Sequence, residues 1–388
     1  MKLPIYLDYN ATTPVDQRVL GRMLPYFTER YGNASSKGHP FGWVAEEAVE
    51  QAREAAAAGL GAEPGEIVFT SGATEAVNAA LKGVAGAYAH HGSHVVTVQT
   101  EHKAVLDACR ALERQGMVVT YLPVHPNGLL DLDALDAVLT DETILVAVMW
   151  ANNETGVIQP IPEIARRVRS RGIVFMTDAT QAVGKVPVSV EHADVLVCSG
   201  HKIYGPKGVG ALYLRRRNPR VRLVPMIDGG GQERGLRGGT LNVPGIVGLG
   251  AAMEIAQVEM ETETARLQTL RDRLEAALRD RVPNVHVNGL GAPRLPQTAN
   301  VTFRGVQADK LMPALRDLAV STGSACSSGS DKPSHVLKAM GLNDEEARST
   351  IRFSLGRFTP AEEIDYAIEH ILNAVERLRR QAVVVHDP

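Results

Sequence analysis

The sequence predicts an α/β protein: a mostly parallel central sheet flanked by helices, with a smaller α+β domain beside it. The first observation behind this prediction is that short β-branched runs alternate with helical patterns from residue 44 to residue 214, as they do in βαβ units. The second is that polar, glycine-containing segments follow several of these runs, which is typical of the ligand-binding edge of a parallel sheet. The third is length, because 388 residues with 44% apolar side chains suffice for two hydrophobic cores.

The first part of the chain is expected to supply the sheet. A helical pattern follows Pro14 and runs to about Phe27, and residues 31–40, dense in Gly, Ser, Asn and Pro, predict a loop. The predicted helices are Val44 to Ala58, Thr74 to His90, Lys103 to Gln115 and Ile161 to Arg171. The predicted strands are Ile67 to Thr70, His94 to Gln99, Val118 to Leu122 and Ile144 to Met149, with others near Phe175, Leu196 and Leu212.

The remainder of the chain predicts a loop, a long helix and a second domain. Residues 216–243 are rich in Gly and Arg and predict a loop, and an amphipathic pattern from Ile246 to Asp280 suits a helix that bridges two domains. The elements expected after it are a strand at Thr298 to Phe303, helices at Ala308 to Leu318 and Ser334 to Met340, a strand at Thr350 to Leu355 and a helix from Pro360. We therefore predict a large domain, residues 14–260, and a small domain of residues 1–13 and 261–388.

Composition excludes several classes of function. The formal net charge is −3, from 41 basic and 44 acidic residues, which gives no electrostatic reason to expect nucleic acid as the main partner. No run approaches the roughly 20 apolar residues of a membrane span, and the first residues lack the apolar core of a signal peptide, so we expect no membrane association and a cytoplasmic location. Three cysteines without Cys-x-x-Cys spacing indicate no disulfide framework. His90, His91 and His94 fall near a predicted helix end, where solvated histidines are more usual than ligands, so we expect no metal.

A lysine and an aspartate each follow a buried strand. Lys202 lies in the segment from Ser199 to Gly210, directly after the apolar run Val195 to Cys198. An amine at the carboxyl end of a strand, held among apolar walls, is a Schiff-base candidate. Asp178 ends another buried run 24 residues earlier. A carboxylate that keeps a pyridinium ring protonated, with a lysine that holds the aldehyde, is the arrangement that pyridoxal phosphate chemistry needs.

A third strand end is suited to phosphate. The run Ile67 to Thr70 is followed by a Ser-Gly turn and a helix start at Ala73 and Thr74, and the N–H groups at such a helix end bind phosphate. Ser199 and His201 flank the lysine with further donors, although the pattern alone allows Ser199 to cap the strand end instead.

Several motifs along nearly the whole chain resemble those of one family. These are Tyr6 to Pro14, Met176 to Gln181, His201 to Pro206, Ser321 to Ser328 and Ile351 to Arg357. The chain resembles the cysteine desulfurases of the class V aminotransferase family. The resemblance implies the PLP-dependent transferase fold type I, pyridoxal 5'-phosphate (PLP) as cofactor and a homodimer. It also implies conversion of L-cysteine to L-alanine, with the sulfur passed to an enzyme cysteine as a persulfide for iron–sulfur cluster assembly.

The resemblance assigns further residues. It implies that His102 stacks on the cofactor and transfers protons, and that Asn153 and Gln181 lie near the ring oxygen and the substrate. It favours phosphate binding by Ser199 and His201, and it implies that Thr240 adds a hydroxyl from the neighbouring subunit. Arg352, within the apolar run Ile351 to Leu355, is our candidate for the substrate carboxylate, because a guanidinium binds carboxylates through two parallel hydrogen bonds. The alternating pattern alone leaves open that Arg352 faces the surface.

Cys326 is the candidate for sulfur transfer. It lies in a segment of small residues, Ser321 to Ser330, which predicts a mobile, exposed loop whose thiolate can attack sulfur and carry it away. There it could also contact a cluster being assembled on a partner. Cys109 and Cys198 fall in apolar patterns and are interpreted as core residues.

Three questions stay open at the level of sequence. A selenocysteine lyase or another class V aminotransferase would keep Lys202 and Asp178, although a transaminase has no need of Cys326. The motifs mix features of the housekeeping and nitrogen-fixation branches of the family, so the sulfur acceptor, an iron–sulfur scaffold protein or another protein, is undecided. The arginines between Arg215 and Arg222 form either a solvated loop or a docking patch for an acidic partner.

Overall fold

A seven-stranded sheet forms the centre of the larger part of the protein, in a computed structural model that describes residues 3–306, 308–322 and 332–384. The strands, in chain order, are β1 (Ile5–Tyr6), β2 (Ile67–Thr70), β3 (His94–Val98), β4 (Val118–Leu122), β5 (Thr143–Ala147), β6 (Val174–Asp178), β7 (Val195–Ser199), β8 (Gly210–Leu214), β9 (Val285–Val287), β10 (Thr298–Phe303), β11 (Leu318–Ala319) and β12 (Thr350–Ser354). The sheet order is β2-β8-β7-β6-β5-β3-β4. Only β8 runs antiparallel to its neighbours, β2 and β7. The predicted mostly parallel α/β sheet is confirmed.

Helices cover both faces of this sheet. In chain order, the helices of the described ranges are α1 (Gln17–Met23), α2 (Pro25–Thr28), α3 (Pro40–Leu60), α4 (Ala73–Tyr88), α5 (Lys103–Glu113), α6 (Leu132–Val138), α7 (Ile161–Arg169), α8 (Val243–Arg281), α9 (Ala308–Ala314), α10 (His335–Ala339), α11 (Asp344–Arg348) and α12 (Ala361–Val384). Helices α1, α3, α7 and the first part of α8 pack on one face, and α4 and α5 pack on the other. None of the helices in the described ranges combines the length and the apolar character needed to cross a bilayer.

The strands are buried on both faces because their side chains alternate between two cores. In β7, Leu196 and Cys198 pack into the core beneath α3, whereas Val195 and Val197 pack into the core beneath α4. A strand of this kind has to be apolar along its whole length, as in other parallel sheets that helices cover on both sides. Cys109, on α5, is fully buried too, and burial raises the pKa of both thiols to about 12.

The smaller part of the protein has its own sheet and core. Strands β12, β10 and β9 form an antiparallel sheet, and β1 pairs with β11 in parallel. These strands pack against α9, α12 and the second part of α8. Along α8, side chains up to Ile255 join the first core and side chains from Leu267 join this one. The domain boundaries near residues 13 and 260 stay a prediction.

Two expectations about local structure are wrong. The helix expected from Pro14 to Phe27 is divided into α1 and α2, because Pro25 has no N–H to donate to the preceding turn. His94 is not solvated: it begins β3, and its ring nitrogens bond the hydroxyls of Thr143 (2.8 Å) and Thr120 (2.9 Å). Helix α6 was not predicted.

Candidate active site

A cavity of about 1040 Å³ lies at the carboxyl ends of β6 and β7, and residues from the two ends of the chain line it together with the sheet. Most of the predicted site residues line this one cavity, namely Ala73, Thr74, His102, Asn153, Asp178, Gln181, Ser199, His201, Lys202 and Arg352. Thr240 is exposed and does not line it. Cys326 lies outside the described residues.

Hydrogen bonds fix both the side-chain amine and the main-chain carbonyl group of Lys202. It closes the short 3₁₀ turn Gly200–Lys202 that follows β7. Its Nζ atom donates hydrogen bonds to the carbonyl oxygens of Asn10 (2.5 Å) and Ala11 (2.7 Å). Its own carbonyl oxygen accepts a hydrogen bond of 2.8 Å from Nζ of Lys185, a buried amine whose pKa burial lowers to about 8. The amine of Lys202 therefore projects into the cavity from a fixed backbone.

Asp178 lies beside this turn because β6 and β7 are adjacent and parallel. Its side chain is almost fully buried, and one carboxylate oxygen accepts the N–H of Thr180 at 2.9 Å. The carboxyl ends of the two strands thus bring a carboxylate and an amine, 24 residues apart in sequence, to the same cavity wall.

The N-terminus of α4 faces the cavity near Ser199. Gly72 precedes α4 with φ 152°, and no side chain caps the helix, so the N–H groups of Ala73 and Thr74 have no partner within the helix. A Cβ atom on Gly72 would lie 3.8 Å from the Ser199 hydroxyl, and one on Gly210 would lie 2.8 Å from the Gly72 Cα atom. Glycine at position 210 therefore lets the turn approach β8 closely and aim its donors into the cavity.

His201 completes this end of the cavity as a neutral ring. Its Nδ1 atom lies 3.1 Å from the Thr12 hydroxyl. Burial and the nearby charges of Lys202 and Lys207 lower the pKa of His201 to about 4. At pH 7 the ring is therefore uncharged and offers one N–H donor.

His102 is the N-cap of α5. Its Nδ1 atom accepts the N–H of Ala104 at 3.1 Å. An accepting Nδ1 carries no proton, so the proton of the neutral ring is on Nε2. In this tautomer Nε2 carries the N–H of a ring that lines the cavity.

Arg352 is buried, so the alternative that it faces the surface is wrong. It lies at the centre of β12 with 2% of its surface exposed. Its guanidinium donates to a carboxylate oxygen of Asp8 (2.6 Å) and to the carbonyl oxygen of Asn153 (2.8 Å). Its Nε atom has no partner among the described residues. A buried guanidinium with unused donors at a cavity wall can bind a carboxylate.

Comparison with known proteins identifies the family. The chain matches the family model described as Aminotransferase class-V over residues 5–367. It is 55% identical to "Cysteine desulfurase IscS" of Edwardsiella ictaluri, over 98% of this chain and 94% of that protein. It is 56% identical to "Cysteine desulfurase IscS" of Anaeromyxobacter dehalogenans, over 98% and 95%. The solved structure titled "NIFS-LIKE PROTEIN" superposes with a TM-score of 0.89 at 39% identity, over 96% of this chain and 100% of that one.

The chain belongs to the cysteine desulfurases of the class V aminotransferase family. These are PLP-dependent enzymes of fold type I. The cavity of this desulfurase fits PLP, since several buried polar atoms on its wall have no partner among the described residues: Asn153 Oδ1, Thr180 Oγ1, Gln181 Oε1 and Arg352 Nε. Buried polar atoms are rarely left without hydrogen bonds. Their clustering therefore indicates a polar ligand.

Sequence reasoning missed three parts of the wall of this desulfurase. The segment Asn10 to Thr12 contributes main-chain oxygens that hold Lys202 and, at 2.9 Å, the amide of Gln181. Glu154 is a buried carboxyl whose Oε2 atom accepts a hydrogen bond from the Ser334 hydroxyl. For the segment Asn10 to Thr12, the only signal in the sequence was the resemblance of the motif Tyr6 to Pro14 to the family. Contacts made by main-chain atoms cannot be predicted from the pattern of side chains.

His335, on α10, is the third part of the cavity wall that sequence reasoning missed. Its Nε2 atom lies 2.9 Å from the carbonyl oxygen of Glu101, and the ring lines the cavity. Glu101 itself is buried, accepts the N–H of Met149, and has a pKa that burial raises well above its usual range. These contacts attach α10 to the end of β3 beside His102.

Proposed function

We propose that this protein converts L-cysteine to L-alanine with PLP as cofactor and transfers the sulfur to Cys326 as a persulfide. The observation that carries the proposal is the convergence of Lys202, Asp178 and Arg352 on one cavity wall. An amine, a carboxylate and a buried guanidinium are the groups needed for the cofactor aldehyde, the cofactor ring and the carboxylate of an amino acid.

Each cofactor group has a candidate partner in the cavity. The N–H groups at the start of α4, with the Ser199 hydroxyl and the His201 ring, would hold the phosphate. Asp178 would hold a proton on the ring nitrogen, and Lys202 would hold the aldehyde. Bound PLP supplies the electron sink that makes loss of the substrate α-proton possible.

The protein's own groups then act on the substrate. Arg352 fixes the substrate carboxylate through a bidentate contact, which orients the α-carbon toward the cavity wall. The Lys202 amine and the His102 ring move protons between the α-carbon and neighbouring atoms. The amide of Asn153 contributes to the position of both cofactor and substrate.

Sulfur leaves the substrate by attack of the Cys326 thiolate. A sulfur–sulfur bond forms as the carbon–sulfur bond of the substrate breaks, and the electron pair of the broken bond goes to the substrate carbon, which gains a proton and becomes the methyl group of alanine. The buried thiols of Cys109 and Cys198 are unsuited to this role, because burial keeps them protonated.

We further propose that the enzyme is a homodimer in which Thr240 of each subunit completes the phosphate site of the other. Several large apolar residues between positions 24 and 43 are more than half exposed, namely Leu24, Phe27, Tyr31, Phe41 and Trp43. The rings of Tyr31 and Phe41 pack together at 5.5 Å. Exposed apolar clusters of this kind mark protein interfaces, and an exposed Thr240 is available to a second copy.

The sulfur acceptor is proposed to be an iron–sulfur scaffold protein or another sulfur-accepting protein, as the name of the IscS relatives suggests. Arg216, Arg217, Arg220 and Arg222 are exposed, whereas Arg215 is bound to Asp194 and to nearby carbonyl oxygens. The four exposed side chains suit an acidic partner, whose binding would weaken with salt. We place the enzyme in the cytoplasm, where a catalytic thiol stays reduced.

The test of the function separates cofactor chemistry from sulfur transfer. Cys326→Ser is expected to keep bound PLP and its visible absorbance, and to bind cysteine. It should form no persulfide and release almost no alanine, since a serine hydroxyl is a poor nucleophile toward sulfur. Cys109→Ala, which removes a thiol that is buried away from the cavity, is the control and should keep alanine release. Turnover of cysteine by Cys326→Ser near the parent rate would replace the proposed mechanism with a direct lyase reaction.

A further inference from the structure

Glu75 brings a negative charge to the phosphate end of the cavity. It lies in the first turn of α4 and lines the cavity, and 11% of its side chain is exposed. A carboxylate at a helix N-terminus is favourable for the helix. It is unfavourable for a phosphate that binds at the same helix end, because two anions then lie close together where solvent screens them weakly.

Arg237 binds this carboxylate from the Gly-rich loop. Its Nε atom donates to Oε1 of Glu75 at 2.9 Å, and Nη2 lies 3.4 Å from Oε2. The N–H of Ser71 donates to Oε2 at 2.9 Å. Burial alone would raise the pKa of Glu75, but the hydrogen bonds from Arg237 and Ser71 outweigh it and lower the pKa. Glu75 is therefore ionised and its charge is offset by Arg237.

The loop that carries Arg237 is fixed to the same edge of the sheet. Glu233 is buried and forms two hydrogen bonds of 2.8 Å with the guanidinium of Arg53. Its carboxylate also accepts the N–H of Phe69, in β2, at 2.7 Å. Arg237 follows four residues later with 23% of its side chain exposed. Because both partners are largely buried, salt screens this pair less than a surface pair.

We propose that Arg237 is a positioning residue that acts through Glu75: by offsetting the Glu75 charge it sets the affinity of the phosphate site for PLP. The proposal rests on the proposed function only in taking PLP as the ligand. The proposal concerns PLP binding in the absence of cysteine. Arg237 can therefore prove to have no effect on PLP affinity although the protein desulfurates cysteine, and it can have that effect although the protein does not.

The experiment is a double-mutant cycle on the full-length apoenzyme, with the PLP dissociation constant as readout. Arg237→Gln leaves the Glu75 charge without its partner and should weaken PLP binding about tenfold. Glu75→Gln removes the charge and should leave binding equal or tighter. The double variant should return to near the affinity of the parent. Arg316→Gln, at an exposed position after α9, is the control and should bind PLP as the parent does.

Pyridoxal, which has no phosphate, gives a second readout. Arg237→Gln should change pyridoxal affinity much less than PLP affinity. Equal losses for the two ligands would overturn the proposal. So would weaker PLP binding by Glu75→Gln, or a double variant as weak as Arg237→Gln, because in each case the pair would act by holding the loop rather than by offsetting charge. Glu75→Gln keeps the test decisive if Arg237→Gln does not fold.

Discussion

The guanidinium of Arg352 donates a 2.6 Å hydrogen bond to the carboxylate of Asp8, and the two residues come from opposite ends of the chain. Strand β12 carries Arg352, and the segment after β1 carries Asp8. Asp8 offsets the buried positive charge, which would otherwise be costly. Asp8 accepts its hydrogen bond from Nη2 of Arg352, whereas Nε of Arg352 has no partner among the described residues.

Arg352→Lys is therefore expected to bind cysteine poorly. Lysine keeps the charge but loses the planar fork, so the KM for cysteine should rise and kcat/KM should fall by about tenfold or more. Steady-state alanine formation measures both constants. The matched control is Arg304→Lys, at an exposed position directly after β10, which should keep both. An unchanged KM in Arg352→Lys would assign the substrate carboxylate to another group.

Subunit mixing tests the shared site. Lys202→Ala removes the catalytic amine from a subunit, and Thr240→Ala removes the hydroxyl that a subunit would lend to its neighbour. If sites are shared, a mixed dimer contains one site that lacks both groups and one that is intact. Co-refolded mixtures should therefore regain up to about a quarter of parental activity, since roughly half of the dimers are mixed. Mixtures no more active than the better single variant would contradict the shared site.

Glu154 predicts a pH dependence of stability. Burial raises its pKa from 4.5 to about 7, so between these values the folded protein binds more protons than the unfolded chain. The favourable contribution of the protonated side chain is complete below about pH 4.5 and is lost as the pH rises through about 7. Glu154→Gln removes this titration and keeps an acceptor for the Ser334 hydroxyl. Relative to the parent, it should gain up to about 3 kcal/mol between about pH 4.5 and about pH 8.

Chemical denaturation of parent and variant at about pH 5.5 and about pH 8 measures most of this difference. Glu54→Gln removes a carboxylate from an exposed position of α3, and its stability relative to the parent should be the same at both values. A stability difference for Glu154→Gln that does not grow with pH would mean that Glu154 is ionised throughout, with its charge held by groups such as Arg352.

The strands of four or more residues were the best predicted part of the fold, whereas the shorter strands β1, β9 and β11 were not predicted. The bounds of β2, β4 and β10 agree with the sequence prediction. A short run of β-branched residues that is buried on both faces has few alternatives to strand structure. Helix α6 was missed because its apolar spacing, Leu132, Leu135 and Val138, extends over only seven residues and gives too weak a signal. Its start depends instead on the Asp131 side chain, which accepts two main-chain N–H groups.

The site was predictable where side chains carry the chemistry. Lys202 and Asp178 could be placed together because both follow buried parallel strands, whose ends meet at one edge of the sheet. Asn10 could not be placed there, because it acts through its carbonyl oxygen and meets Lys202 across 192 residues of chain. Long-range main-chain contacts follow from the tertiary fold, and no local pattern encodes them. The role of Cys326 still depends on resemblance alone.

Strand β2 has one neighbour in the sheet, β8, which begins 140 residues after β2 ends. During translation β2 and the helix after it therefore leave the ribosome long before the strand that holds them. At roughly 5–20 residues per second, this interval lasts several seconds or more. The interval is longer for the opposite wall of the cavity, because β1 pairs with β11 and Asp8 pairs with Arg352, both of which are synthesised near the end of the chain. Capture of PLP in the complete cavity therefore has to wait until nearly the whole chain has been synthesised.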